Sequence, residues 1–350
     1  MAIVYSPSEA TDYLVDIIKH NRAVPTTGQD YITPILTSDP GHGKTSIAAL
    51  AAALAGAQFT ARAPHLHDVM DLGGVVMPDR ETETTKVYRP FLLPSEPGEV
   101  VLLDEFDKCS PLAQNILSQY ILAREVGGHR VPAGVTFILC GNKLGSRCGS
   151  QRSPSHLDNR GEHIPLETTE PDWQTWALEK GLSFELRSFI HVRPALLSDF
   201  NPDAKAFPSP RSVARLDSII KLPAKDASAE HKRIASCVGE GFANEFLGHM
   251  RLCRKLIPSE AILADPERVA LPEAGDRSYP SVMYATMMML AAHTDNPKLD
   301  ALFKYLNRVP VEYAAVCVRD LAGRFTAKGW KLDGPAYLAW AVKNQKVVLN

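Results

Sequence analysis

The chain has 350 residues, of which 45% are hydrophobic and 22% charged, the balance of an ordinary globular protein with room for two or three domains. Its formal net charge of −2 gives no general electrostatic attraction to nucleic acid or to an anionic membrane. The six cysteines (Cys109, Cys140, Cys148, Cys237, Cys253, Cys317) form no C-x-x-C pair, which argues against zinc and a disulfide framework and for reduced thiols in the cytoplasm.

The opening residues MAIVYSPSEATDYL lack a basic start followed by an apolar run, so no signal peptide is predicted. Ser6-Pro7-Ser8-Glu9 is a capping box with proline in the first turn, and Ala10, Leu14, Ile17 and Ile18 follow at helical spacing. Pro34-Ile35-Leu36-Thr37 reads as a short buried strand. The next eight residues, Ser38 to Thr45, match seven positions of the phosphate-loop pattern G-x-x-x-x-G-K-[ST], with Ser38 in place of the first glycine. Gly41 and Gly43 would let backbone N–H groups close on phosphate oxygens. Lys44 would bring a point charge to the β- and γ-phosphates, and the Thr45 hydroxyl could ligate Mg²⁺. The Ala- and Leu-rich run from Ser46 to Ala55 predicts a helix with its positive end toward the phosphates and Gly56 as its stop. Asp39, Pro40, Gly41, His42, Gly43, Lys44, Thr45 and Ser46 are therefore the expected contacts to ATP.

AQFTARA (57–63) predicts a second strand, and GGVVMPDRETETTKVYRPF (73–91) two extended pieces around a polar tip at Asp79 to Thr85. In GEVVLLDEFDK (98–108) four apolar residues precede Asp104 and Glu105. That order sets both carboxylates at the C-terminal edge of a buried strand, where open α/β sheets bind ligands. Asp104 would hold Mg²⁺ with Thr45, and Glu105 would polarise the attacking water. SPLAQNILSQYILAREV (110–126) predicts a helix capped by Ser110. GVTFILCGNK (134–143) predicts a buried strand that leaves Asn142 at its tip, able to orient the same water, and EHIPLE (162–167) a shorter one.

The alternation of strands and helices implies a parallel sheet covered on both faces, and it stops near Glu167. Beyond it come mostly helical segments with proline-rich joints, AFPSPRS (206–212) and ADPERVALPEAG (264–275). SVMYATMMMLAAH (281–293) is too short to span a bilayer and reads as a core helix.

Taken together, the phosphate loop, VVLLDE, ILCGNK, LDNRGEHIPLE and FPSPRS resemble the AAA+ ATPases, specifically the MoxR-like branch and its standalone bacterial and phage members. The resemblance implies an α/β fold: a P-loop AAA+ core with a parallel five-stranded sheet between helices, followed by an α-helical lid and a C-terminal helical region. The expected boundaries are 1–167 for the core, 168–260 for the lid and 261–350 for an extension packing on it. The resemblance further implies Asn142 as first sensor, Arg160 as an arginine finger reaching the neighbouring subunit's nucleotide, and Arg211 as second sensor on the lid. It implies a ring-shaped homo-oligomer, a hexamer, that spends ATP with Mg²⁺ on remodelling a protein client, and by analogy a von Willebrand A-domain partner. The alternative function is a nucleic-acid motor gripping a strand through Arg80, Lys86, His129 and Arg130, against which stand the interleaved acids Asp79, Glu81 and Glu83. Gly161 stands beside Arg160 where the family commonly has an aromatic, and Val213 where it frequently has tryptophan.

Overall fold

The computed structural model describes residues 3–24, 30–143, 157 and 159–345. Its contacts divide the chain into two compact units, Met1–Thr168 and Thr169–Asn350.

The first unit opens with α1 (Pro7–Ala23), started by the expected reciprocal bonds between Ser6 and Glu9. Strands β1 (Thr33–Ser38), β2 (Phe59–Arg62), β5 (Val100–Leu103), β8 (Thr136–Asn142) and β9 (Gly161–Pro165) form one sheet in the order β2-β5-β8-β1-β9. All four pairings are parallel. Successive residues point to opposite faces of a strand, and here both faces are apolar. Leu36, Val100, Leu102, Ile138 and Cys140 pack with α1 and with α2 (Lys44–Leu54) through Leu14, Ile18, Ala48 and Ala52. Ile35, Val101, Leu103, Phe137 and Leu139 pack with α4 (Pro111–Ser118) through Ala113 and Leu117. Fully burying one such Val or Leu side chain stabilises the fold by about 1.5–3 kcal/mol, which is why the central strand β5 is apolar throughout and the middle of β8 nearly so, while the edge strands β2 and β9 keep polar residues. Helix α3 (Val69–Gly73) precedes an antiparallel hairpin of β3 (Val76–Asp79) and β4 (Thr84–Val87), which turns at the polar tip as expected.

One expected boundary is overturned, while the hairpin that the family resemblance implies for REVGGHRVPAG (124–134) is present. The helix predicted from Ser110 to Val126 ends at Ser118, continues as a single π-helical stretch Gln119–Ala123, and gives way to the small hairpin of β6 (Glu125–Val126) and β7 (His129–Arg130). The chain turns at Arg124, which has φ 54°. Its guanidinium lies 4.0 Å from the Tyr31 ring centroid and donates to the Val135 carbonyl at 2.9 Å. Those long-range anchors outweigh the local helical preference of the run.

The second unit is helical. Trp173, Leu186, Phe189, Val213, Leu216, Ile234, Phe242 and Phe246 form one hydrophobic cluster. Met283, Met287, Leu290, Leu302, Phe303, Cys317, Phe325 and Trp340 form another, and most of the predicted core helix lies in it as Tyr279–His293. A buried ion pair, Arg187 to Asp320 at 2.8 Å, joins the helices Phe184–Val192 and Val311–Ala327. Val213 is wholly buried, so the position where tryptophan is frequent carries a smaller core residue. Cys109, Cys140, Cys237, Cys253 and Cys317 are free and buried, and Cys148 lies outside the described residues. Among the described residues no helix is long and apolar enough to cross a membrane.

His249 makes this unit acid-sensitive. Its ring is buried, its Nε2 lies 2.8 Å from the Ser188 hydroxyl, and burial pushes its pKa down to about 4. The unfolded chain takes up this proton near the ordinary histidine value, while the folded chain resists it. Stability is therefore whole above about pH 6.5 and falls as the pH drops toward 4. Urea unfolding of the wild type is expected to lose about 2 kcal/mol from this residue between pH 7.5 and pH 5. In His249→Gln that increment should be missing; an identical pH slope in the variant would remove His249 as its source.

Candidate functional site

The sheet brings distant residues to one edge. Its order puts β1 between β8 and β9, and the chain from β1 to β8 first visits the far edge at β2 and β5, so the carboxyl ends of β1 and β8 flank the point where connections diverge. In register, Ser38 at the end of β1 lies beside Asn142 at the end of β8, and β5 ends one strand further on, at Leu103. The loop after β1, the acids after β5 and the amide at the tip of β8 thus share one rim.

The loop itself depends on glycine. Gly41 and Gly43 have φ values of 91° and 81°, a region L side chains enter only with strain. Gly43 in this left-handed conformation is the N-cap of α2, so the helix starts at Lys44, two residues earlier than the sequence suggests. The free N–H groups of its first turn belong to the residues that follow the loop, which makes the helix start a place for anionic oxygens.

Lys44 Nζ donates to Ser38 Oγ at 2.9 Å, to Asn142 Oδ1 at 3.3 Å and to the Ser38 carbonyl at 3.4 Å. Thr45 Oγ1 donates to Asp104 Oδ2 at 3.3 Å, and the Glu105 amide donates to Asp104 Oδ1 at 3.0 Å. A hydroxyl and a carboxylate on adjacent elements are hard oxygen donors of the kind Mg²⁺ takes, with waters and phosphate oxygens completing the shell. The residues present therefore fit that ion. Asp39 pairs with the exposed Lys143 at 3.5 Å, so its negative charge beside the loop has a counter-charge, although so exposed a pair adds little stability. Pro40 is half-buried and Ser46 exposed.

His42 is buried, and it ties the loop to the segment after β9. The Thr168 amide donates to His42 Nδ1 at 3.2 Å, and the Thr168 hydroxyl donates to the His42 carbonyl at 3.4 Å. An amide can only donate, so Nδ1 is the acceptor and the neutral ring carries its proton on Nε2. Burial lowers the pKa of this ring, with Lys44 and Lys143 adding to the effect and Asp39 opposing it.

Glu105 sits at φ 53°, an uncommon conformation for a non-glycine residue and one that clusters at functional sites. Its carboxylate lies between two basic side chains absent from the sequence-based set. Lys108 Nζ is 2.5 Å from Oε1, and His65 Nε2 is 3.1 Å from Oε2. His65 follows β2 in a short 3₁₀ turn, Pro64–Leu66, and its buried Nδ1 has no hydrogen-bond partner among the described residues. The signal for Lys108 was its place three residues after Glu105. His65 becomes a neighbour only because β2 pairs with β5. Asp107, also absent from the sequence-based set, accepts from the Asn142 amide at 3.3 Å and so fixes the tip of β8.

Neither arginine takes part in the contacts described for this cluster. Arg160 is exposed on the turn just before β9, at the sheet edge. A Cβ at Gly161 beside it would fall 2.3 Å from Ile35 Cδ1 and 3.2 Å from the Leu157 carbonyl, so a side chain there would require Ile35 to shift. Arg211 lies in the second unit, exposed on the first turn of the helix Pro210–Ile220.

No family model matches the sequence, and no curated protein matches it. Solved structures do. NtrX from Brucella abortus is 15% identical over 97% of this chain and 68% of that one, with a TM-score of 0.34. NtrX from Brucella abortus in complex with ADP gives 14%, 99%, 70% and 0.34 for the same quantities. The Thermotoga maritima RuvB Holliday junction branch migration motor gives 14%, 74%, 81% and 0.39. Likeness this loose assigns neither family nor activity, and the functional reading rests on the geometry of the rim.

Proposed function

We propose that the protein is a Mg²⁺-dependent ATPase of the AAA+ class, MoxR-like in kind, working as a hexameric ring that remodels or assembles a protein partner. The observation that carries the ATPase reading is the convergence of Lys44, Thr45, Asp104, Glu105 and Asn142 at the carboxyl edge of one sheet. A phosphate loop alone suits any phosphate binder; an acidic pair and an amide on the neighbouring strand tips suit hydrolysis.

In this reading the backbone N–H groups from Gly41 to Thr45 and the Lys44 ammonium hold the β- and γ-phosphates. Thr45 and Asp104 would hold Mg²⁺, which would neutralise charge on the phosphate oxygens. Glu105 takes a proton from water as its oxygen bonds to the γ-phosphorus, and the electron pair of the broken bond leaves on ADP. For that, a Glu105 oxygen must loosen its hold on His65 or Lys108. Asn142 orients the water from the adjacent strand tip. The ring, the trans-acting Arg160, the lid role of Arg211 and a von Willebrand A-domain client are supported by the sequence resemblance alone.

Lys44→Ala tests the base of this reading. Hydrogen bonds to charged groups contribute about 1.5–3 kcal/mol each, so the variant is expected to bind ATP about 10²-fold more weakly in a fluorescence or calorimetric titration. Unchanged affinity would remove the phosphate loop from the reading.

A further inference from the structure

Ser38 is the residue by which the loop departs from its pattern, and it is wholly buried. Its hydroxyl donates to the Asp39 carbonyl at 2.7 Å. Lys44 Nζ, which can only donate, gives a proton to the same oxygen at 2.9 Å. The direction of this relay is therefore settled: ammonium to hydroxyl to carbonyl. With its hydrogen committed to Asp39, the Ser38 oxygen turns its lone pairs to the lysine. Of the three contacts described for Nζ, the hydroxyl one is the shortest, and those to Asn142 Oδ1 and the Ser38 carbonyl, at 3.3 and 3.4 Å, are beyond the usual range for N–H···O bonds. The strand pairing that puts Ser38 beside Asn142 brings both acceptors within reach of the ammonium.

We infer that Ser38 is a positioning residue that seats Lys44 for the phosphates, a nucleotide-affinity role its side chain supplies where glycine has none. The inference rests on the nucleotide-binding reading above. Lysine carries three donors on a flexible stem. Seating it in advance reduces the side-chain freedom lost when the ligand arrives, and one proton can stay on Ser38 while others reach phosphate oxygens. Glycine at this position would remove the shortest described contact and leave the stem held more loosely before the ligand arrives. The contact exists before and throughout the reaction, so it acts equally on the ground and transition states, and its signature is in KM rather than kcat.

The test measures Kd for Mg²⁺-ATP, KM, kcat and the urea midpoint for the wild type, Ser38→Ala, Ser38→Gly and Ser38→Cys. Ser38→Ala and Ser38→Gly are expected to raise Kd and KM about 2–10-fold, the range for freeing one long side chain, with kcat within about twofold. Ser38→Cys, similar in size with a weaker acceptor, should fall between them and the wild type. Wild-type affinity in Ser38→Ala, or tighter binding in Ser38→Gly, overturns the role of Ser38 while leaving the site reading intact. A fall in kcat that tracks a fall in the urea midpoint also overturns it, because the hydroxyl then serves folding. Should Ser38→Ala fail to fold, Ser38→Cys decides by the same criteria. A wild type that binds no nucleotide overturns both readings.

Discussion

Replacing Arg160 by alanine is expected to lower ATP turnover by about 10³–10⁵-fold, the range for arginine fingers in phosphoryl transfer, while nucleotide binding persists. Arg160 is exposed just before the edge strand β9, at the amino end of that strand rather than at the carboxyl-end rim, and in the proposed reading it acts on a neighbouring subunit. There its guanidinium would stabilise charge on the transferring phosphoryl group with a planar fork that lysine does not have, so Arg160→Lys should fail as well. Two measurements separate this from a structural effect. Activity per subunit of the wild type should rise with protein concentration as rings assemble. A mixture of Arg160→Ala and Glu105→Gln proteins, each nearly inactive alone, should regain activity, because an Arg160→Ala subunit keeps its own base and receives an intact finger from its neighbour. If dilute protein turns over as fast as concentrated protein, or the mixture stays inactive, the shared site is wrong and a self-contained nucleotide switch takes its place.

Glu105→Gln is expected to cut turnover by about 10²–10⁴-fold with ATP affinity retained, since an amide keeps the shape but is a far poorer proton acceptor. The substitution also changes the contacts to His65 and Lys108, which now approach Glu105 within 3.1 and 2.5 Å. The amide oxygen can keep the Lys108 donor; its NH₂ group then faces His65 Nε2, which can accept only with its proton moved to Nδ1. Affinity measured beside turnover therefore separates loss of the base from disturbance of the rim. Turnover near the wild-type level would mean that Glu105 is not the base. The variant, loaded with ATP, is also the form with which to seek the proposed protein client.

Local order was written in short spans of sequence. The loop from Ser38 to Thr45, the apolar run ending in Asp104 and Glu105, and the strand ending at Asn142 could be read because strand, turn and helix preferences act over a few residues, and a fully apolar run marks a strand buried on both faces. The hairpin tip between Asp79 and Thr84 was legible for the same reason. By itself the sequence thus determined which residues stand at the ends of strands, and with them the chemistry of the rim. What it could not determine was adjacency. The stop of the helix at Ser118 depends on Arg124 meeting Tyr31 and Val135. The bases flanking Glu105 depend on the pairing of β2 with β5, and the place of Ser38 beside Asn142 on the register of β1 with β8. Ser38 read as a defect in a pattern, and only the folded chain makes its hydroxyl the closest described acceptor of the Lys44 ammonium. Hydrogen-bond partners at such separations are chosen by burial and sheet register, which minimise unsatisfied polar groups across the whole fold, and no local preference encodes that choice.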